Sequence, residues 1–327
     1  MSELKTPNGL LINGEWVSGG ARFDVHDPAT GNVITTVGDA SIADADAAIT
    51  SAHDAFHTWS HTAPRLRAEV LRRAWEIMTA ELETCAHLIS LENGKAHRDA
   101  MAEATYAAEF FRWFSEEASR VQGDFRYAPN GDKTIITDHR PIGVAMMITP
   151  WNFPAAMATR KLGPALAAGC TAILKPPAET PLTALWVADV VQRAGAPAGV
   201  VNVLTTSKSG AMVSHILNDK RIATLSFTGS TYVGKMLLKQ TADRVVRSSM
   251  ELGGNAPFVV LEGANVDSAV QGAMVAKMRN GGAACTAANR FYVHESVADE
   301  FANKFGQALS GLKVGPGVDP AHDLGAM

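Results

Sequence analysis

Residues 144–175 read VAMMITPWNFPAAMATRKLGPALAAGCTAILK, and the way this stretch folds decides the architecture around it. Val144–Ile148 is a short apolar run of strand length. It meets two prolines, Pro150 and Pro154, which stop a β ladder and set the chain up for a helix. The spacing predicts a helix near 154–168, and Thr171–Lys175 is a second apolar run. The alternation continues through GVVNVL (199–204), IATLSF (222–227) and RSSMEL (247–252), with helices near 181–194, 209–218 and 231–242. Strands and helices alternating at this spacing predict an α/β fold whose parallel sheet is covered by helices on both faces, an architecture used to bind dinucleotides.

Upstream, LINGEWV (11–17) and NVITTV (32–37) are β-like runs around the turn-forming DPATG (27–31). From Ser41, apolar residues recur at Ile42, Ala45, Ile49, Ala52 and Phe56, with Ser41 and Asp44 as a capping pair. Helical stretches over 64–90 and 98–121 complete an expected N-terminal helical layer, and IITDH (135–139) is a further strand. Beyond Gly253-Gly254, a strand (APFVVL, 256–261), a helix (266–280), a strand (RFYVH, 290–294) and a helix (296–312) read as the start of a second α/β unit. That unit stops, unfinished, after the loop-like 315–327.

Composition narrows the function classes. The chain has 327 residues, 46% hydrophobic and 19% charged, with a formal charge of −4. That is a globular composition of about two domains, without the basic field that nucleic acid or an anionic membrane selects. A small molecule is the expected partner. Cys85, Cys170 and Cys285 are an odd count without a CxxC pair, which argues against a disulfide framework and against a metal site. No signal-peptide pattern opens the chain and no run of 18 apolar residues crosses a membrane, so the expected location is the cytosol.

Four segments and one lysine carry candidate chemistry. Cys285 lies in RNGGAACTAANR (279–290), a glycine-rich loop of small residues. Free cysteine often packs as a small hydrophobe, whereas an open loop also suits a nucleophilic thiolate. Asn152 stands where the chain enters the helix, as a cap or as an amide donor to an oxyanion. Glu251, before Gly253-Gly254, is a strand-end carboxylate beside two glycines that permit close backbone approach, and a lone strand-end glutamate is more often solvated. Gly229-Ser230-Thr231-Tyr232-Val233-Gly234 forms a small-residue strand-to-helix turn of the kind that receives a pyrophosphate. Lys175 could reach a ribose or phosphate oxygen or stand free on the surface.

Together, PWNFP (150–154), the GSTxxG turn (229–234), ELGG (251–254) and a cysteine followed by T-x-x-N-R occur in an order, and at spacings, that resemble the NAD(P)-dependent aldehyde dehydrogenases along the whole chain. The resemblance implies a Rossmann-type cofactor domain (1–130 and 142–252), an oligomerisation strand segment (131–141) and the start of a catalytic domain (253–327) that in the family continues further. It implies that Cys285 attacks an aldehyde, that Asn152 and the Cys285 N–H hold the thiohemiacetal oxyanion, and that Glu251 activates the water that hydrolyses the thioester. Pro150, Trp151, Lys175, Ala178, Gly229, Ser230, Val233 and Leu252 are the implied cofactor contacts.

MATRKLGPALAAGC (157–170) looks like the succinate-semialdehyde dehydrogenases, in which an arginine at the position of Arg160 binds the substrate carboxylate; Arg279 and Phe153 are the other implied substrate contacts. NAD-preferring relatives commonly carry glutamate three residues after the lysine. Here that residue is Ala178, with Glu179 next, so NADP is the expected cofactor and NAD the alternative. Met278 and Ala283 replace the family's usual phenylalanine and glutamine, and Ala287 replaces a redox-switching cysteine found in some relatives. The complete family form is a homodimer or homotetramer. Two other readings stand beside this one: a neutral or aromatic aldehyde as substrate, and a non-catalytic nucleotide-binding fragment.

Overall fold

The computed structural model describes residues 6–326; Met1–Lys5, part of the amino-terminal stretch read above, and Met327, the last residue of the expected second unit, lie outside the described residues. Strands β1 (Leu10–Ile12) and β2 (Glu15–Val17) form a hairpin around Asn13-Gly14, both at positive φ (53° and 77°), as a two-residue turn of that twist requires. A second hairpin joins β3 (Ala21–His26) to β4 (Val33–Asp39). Its turn is held by Asp27, whose carboxylate accepts from the Ala29 N–H at 2.8 Å and the Thr30 hydroxyl at 2.9 Å. Helix α1 (Ile42–Trp59) begins with the expected capping box: the Asp44 N–H donates to Ser41 Oγ and the Ser41 N–H to the Asp44 carboxylate.

The single helical stretch expected over 64–90 is two helices, α2 (Pro64–Ala80) and α3 (Leu82–Asn93). The break falls at Glu81, which leaves helical geometry (φ −113°, ψ 26°). Its carboxylate is engaged bidentately by Arg193, 112 residues away, at 2.6 and 2.9 Å. Gly94, left-handed at φ 85°, ends α3, and α4 (His97–Glu117) follows. Next, β5 (Asp124–Tyr127) and β6 (Thr134–Thr137) pair antiparallel as an exposed hairpin, so the strand read within 131–141 has a local partner.

The central layer is built by β7 (Val144–Ile148), α5 (Pro154–Ala168), β8 (Thr171–Lys175), α6 (Pro181–Arg193), β9 (Val201–Val203), α7 (Ser209–Asn218), β10 (Ile222–Gly229), α8 (Thr231–Ala242) and β11 (Arg247–Leu252). The sheet order is β11-β10-β7-β8-β9-β1-β2. The five strands from β7 to β11 run parallel, while β1 and β2 extend the edge antiparallel, a pairing the sequence reading did not contain. Alternation along β7 divides two cores: Ala145 and Met147 face one, Val144, Met146 and Ile148 the other. Helices α5 and α6 cover the first face, with α2, α3 and α4 outside them; α1 and α7 cover the second. The helices before residue 121 therefore split across the sheet instead of forming one layer.

Beyond β11, β12 (Ala256–Val260) and β13 (Ala288–Val293) pair in parallel, with α9 (Val266–Met278) between them and α10 (Glu295–Ser310) after them. Phe258, Phe291, Phe301 and Phe305 cluster in the small core of this unit. Two-residue strands β14 (Val314–Gly315) and β15 (Leu324–Gly325) close the described chain. There the His97 N–H donates to the Gly317 carbonyl at 2.8 Å, and a Cβ on Gly317 would come within 2.2 Å of the Lys95 carbonyl. Only glycine lets these backbones approach so closely.

Candidate active site

Strands β7 and β10 are neighbours, although the chain leaves β7 through β8 and β9 before returning. Loops that depart from adjacent strands in opposite directions open a crevice at the carboxyl edge of a parallel sheet, where such folds bind ligands. Register sets Lys175, Ile148, Phe227 and Met250 side by side across β8, β7, β10 and β11. The segments that follow, Pro150–Asn152, Gly229–Ser230 and Glu251–Leu252, therefore emerge along one edge.

Asn152 does not cap α5. The cap position is Phe153, and the helix starts at Pro154, which has no N–H to satisfy. The amides of Ala155 and Ala156 donate instead to Glu103 Oε1, at 2.9 and 3.2 Å, a carboxylate reaching across from α4. Asn152 Nδ2 donates to the Ala283 carbonyl at 2.7 Å, two residues before the thiol. Helix α9 stops at Met278, short of the expected 280. A 3₁₀ turn, Arg279–Gly282, follows, in which Asn280 (φ 59°) and Gly281 (φ 61°) are left-handed. The Cys285 thiol is exposed, whereas Cys85 and Cys170 are buried, so the packed-thiol reading fits those two and not Cys285. A Cβ on Gly254 would stand 3.1 Å from the Cys285 carbonyl oxygen, a close approach that the second glycine of ELGG permits.

Cys285, Asn152, Glu251, Arg160, Arg279 and Phe153 line a single cleft of about 710 Å³. Arg160 Nη2 lies 4.0 Å from Glu251 Oε1, and both side chains are exposed. Lys161, the next residue on α5, is buried and donates to Ser226 Oγ at 2.8 Å. Burial, reinforced by the positive charge of Arg160 and opposed by Glu251, pushes its pKa down to about 8.

Of the expected cofactor contacts, Pro150, Trp151, Gly229, Ser230 and Leu252 line the same cleft, while Lys175, Ala178 and Val233 stand outside its lining. Lys175 is buried at the end of β8, and burial lowers its pKa against the opposing charge of Glu179. The Val233 N–H donates to Ser230 Oγ, which caps α8. These residues fit a dinucleotide. A Cβ on Gly229 would sit 2.5 Å from the Phe227 ring, and one on Gly234 2.7 Å from Leu252, so both glycines keep the turn and α8 close to the strands. The first amides of α8 have no intrahelical acceptors and lie at a positive helix end, suited to a pyrophosphate. Among the described residues no group of three His, Cys, Asp or Glu is arranged to hold a metal ion.

Several cleft residues escaped the sequence reading. Asp99, Glu103 and Tyr106 reach the cleft from α4, where nothing distinguishes them from other residues of an amphipathic helix. Asn280 carried a signal, because Asn-Gly often marks positive φ. Lys95, completely buried and outside the cleft lining, carried none.

Comparison with known proteins bears on the family and the fold. Residues 16–327 match the aldehyde dehydrogenase family. A succinate-semialdehyde dehydrogenase from Paenarthrobacter nicotinovorans is 52% identical over 90% of this chain and 66% of its own length. The NADP(+) succinate-semialdehyde dehydrogenase of Escherichia coli K12 is 45% identical over 97% of this chain and 66% of its own. The crystal structure of succinate-semialdehyde dehydrogenase from Burkholderia pseudomallei superposes with a TM-score of 0.96 at 43% identity, covering 99% of this chain and 67% of that one. The chain thus spans about two thirds of the length of the relatives it matches. With a thiol, an amide and a carboxylate converging beside a dinucleotide-type crevice, and with the match running through residues 16–327, this chain belongs to the aldehyde dehydrogenase family.

Proposed function

We propose that the chain carries the cofactor crevice and reactive thiol of an enzyme that oxidises a carboxylate-bearing aldehyde, succinate semialdehyde before others, to the acid with NADP. The observation that carries this reading is the shared cleft of Cys285, Asn152 and Glu251 with two arginines, Arg160 and Arg279. The Cys285 thiolate adds to the aldehyde carbon. The second amide hydrogen of Asn152, not engaged by Ala283, and the Cys285 N–H donate to the resulting oxyanion. Pro150, Trp151, Gly229, Ser230 and Leu252, with Lys175 and Ala178, would hold NADP, which when bound would supply the acceptor for the hydride lost from the aldehyde carbon. Glu251 takes a proton from the water that attacks the thioester, releasing the acid and regenerating the thiol. Arg160 and Arg279 orient the substrate through its carboxylate.

Preference for NADP rests on Ala178 leaving no carboxylate at the position that would repel a 2′-phosphate, and on the name of the Escherichia coli relative. Pairing into a dimer or tetramer through the β5–β6 hairpin is part of the same proposal, supported by the exposure of Phe125, Tyr127 and Ile136. So is a cytosolic location; no described helix is long and apolar enough to cross a membrane. The test is NADPH formation from succinate semialdehyde by this chain beside its Cys285→Ala variant. Turnover abolished with the thiol is the expected result, and equal rates in the two proteins would overturn the proposal.

A further inference from the structure

Lys95, at the junction of α3 and α4, is 0% exposed. Its ammonium donates to Glu103 Oε2 at 2.5 Å, to the Asn152 carbonyl at 2.7 Å and to Asn280 Oδ1 at 2.5 Å, using all three donors of a lysine. The Phe153 ring lies 4.5 Å from the same nitrogen. Asn280 Nδ2 in turn donates to the Asn152 carbonyl at 3.0 Å and the Ala283 carbonyl at 3.1 Å, and Ala283 also accepts from Asn152 Nδ2. The bonds form a closed circuit. It joins the β7 loop that bears the amide to the turn that bears the thiol, two segments that share no backbone hydrogen bond.

We propose that Lys95, acting through Asn280, is the positioning residue that holds the Asn152 amide in register with the Cys285 thiol. The inference rests on the reading of Asn152 as the oxyanion donor. Lysine suits the task because a compact ammonium presents three donors to three acceptors that diverge, whereas an arginine fork is planar. A buried ion pair with Glu103 adds little net stability against an apolar isostere, yet removing one partner leaves a bare charge. The benefit of keeping the ammonium here is geometric.

Two reagents separate positioning from general support of the fold. p-Nitrophenyl acetate acylates a thiolate through a tetrahedral oxyanion: the S–C bond forms, the C–O bond breaks and p-nitrophenolate leaves. Iodoacetamide alkylates the same sulfur by displacement of iodide, with no oxyanion. Cys285 is the exposed thiol among the cysteines, and Cys285→Ala supplies the blank. Lys95→Met and Asn280→Gly are the variants; the second retains the left-handed turn and deletes only the side-chain bonds, and it decides the matter if the first does not fold. In both, acylation slows by about 10- to 100-fold, as for weakened oxyanion donation, while alkylation stays within about threefold. Because the bonds act as one unit, the double variant falls no further than the worse single one. Equal changes in the two rates, or none in acylation, would overturn the proposal. Neither reagent uses NADP or an aldehyde, so a chain that oxidises no aldehyde would sink the proposed function and leave this test standing.

Discussion

Arg160 and Glu251 face each other across the cleft at 4.0 Å, each more than two fifths exposed. An exposed pair of this kind contributes at most about 1 kcal/mol, so a substrate carboxylate can take the guanidinium from Glu251 at small cost. A bidentate bond then rewards an aldehyde that carries an anion. Arg160→Ala is therefore expected to lower kcat/KM for succinate semialdehyde about tenfold or more beyond its effect on butanal, an uncharged aldehyde of the same length. Specificity constants for both substrates check this, and equal losses would remove Arg160 from carboxylate recognition. Asn152 is the complementary case, because in the proposed function its amide acts on charge that develops only during reaction. Asn152→Ala is expected to reduce kcat by roughly 10²–10³ with little change in KM, and a rise in KM alone would contradict that role.

Helices α5 and α6 both begin at a proline and have no cap from their own sequence. Each borrows a buried carboxylate from the outer helices: Glu103 for α5, and Glu92 for α6, where it accepts from the Leu182 and Thr183 amides at 2.6 and 2.8 Å. Burial raises the Glu92 pKa from 4.5 to about 8, outweighing the bonds from Thr183 and Leu182 that lower it. Between those values the folded chain keeps a proton that the unfolded chain has released. Stability from this group is therefore lost as pH rises through that window, by at most about 1.4 kcal/mol per unit. Glu92→Gln removes the ionisation and keeps an acceptor. Urea unfolding at pH 5.5 and pH 8 should show the variant gaining on the parent as pH rises; parallel pH dependence would refute the assignment.

The whole molecule joins a large double core to a small one. In the second unit the clustered core is Val260, Val266, Val270, Ala273 and Phe301, with Ala287 and Ala288 also buried, while Val259, Leu261, Val275 and Tyr292 are exposed. Contact between the two bodies runs through polar bonds and glycine-dependent approaches, such as Lys95 to Asn280 and His97 to Gly317. A unit with so little buried surface opens more readily than the sheet beside it. Amides of β12, β13 and α10 are expected to exchange at least about tenfold faster than those of β7, β8 and β10, measured by hydrogen–deuterium exchange. Matching protection would show that the two bodies open together.

Much of this was legible from local chemistry. Pro150 and Pro154 mark the end of β7 and the start of α5; Ser41 and Asp44 mark the start of α1; the order of the motifs around Asn152, Glu251 and Cys285 pointed to the family. These signals arise from φ restriction, missing donors and caps, which act within a few residues and can be read in one dimension. At the α2–α3 break Glu81 pairs with Arg193, the antiparallel edge depends on β1 meeting β9, and the circuit that joins Asn152 to the Cys285 loop depends on Lys95 and Asn280, 185 residues apart. By itself, then, the sequence determined the strand–helix alternation and the candidate reactive groups. Tertiary structure alone decided which buried charges pair and how the amide and the thiol are aligned, because a buried donor takes whatever acceptor the packed chain brings to it, however distant in sequence.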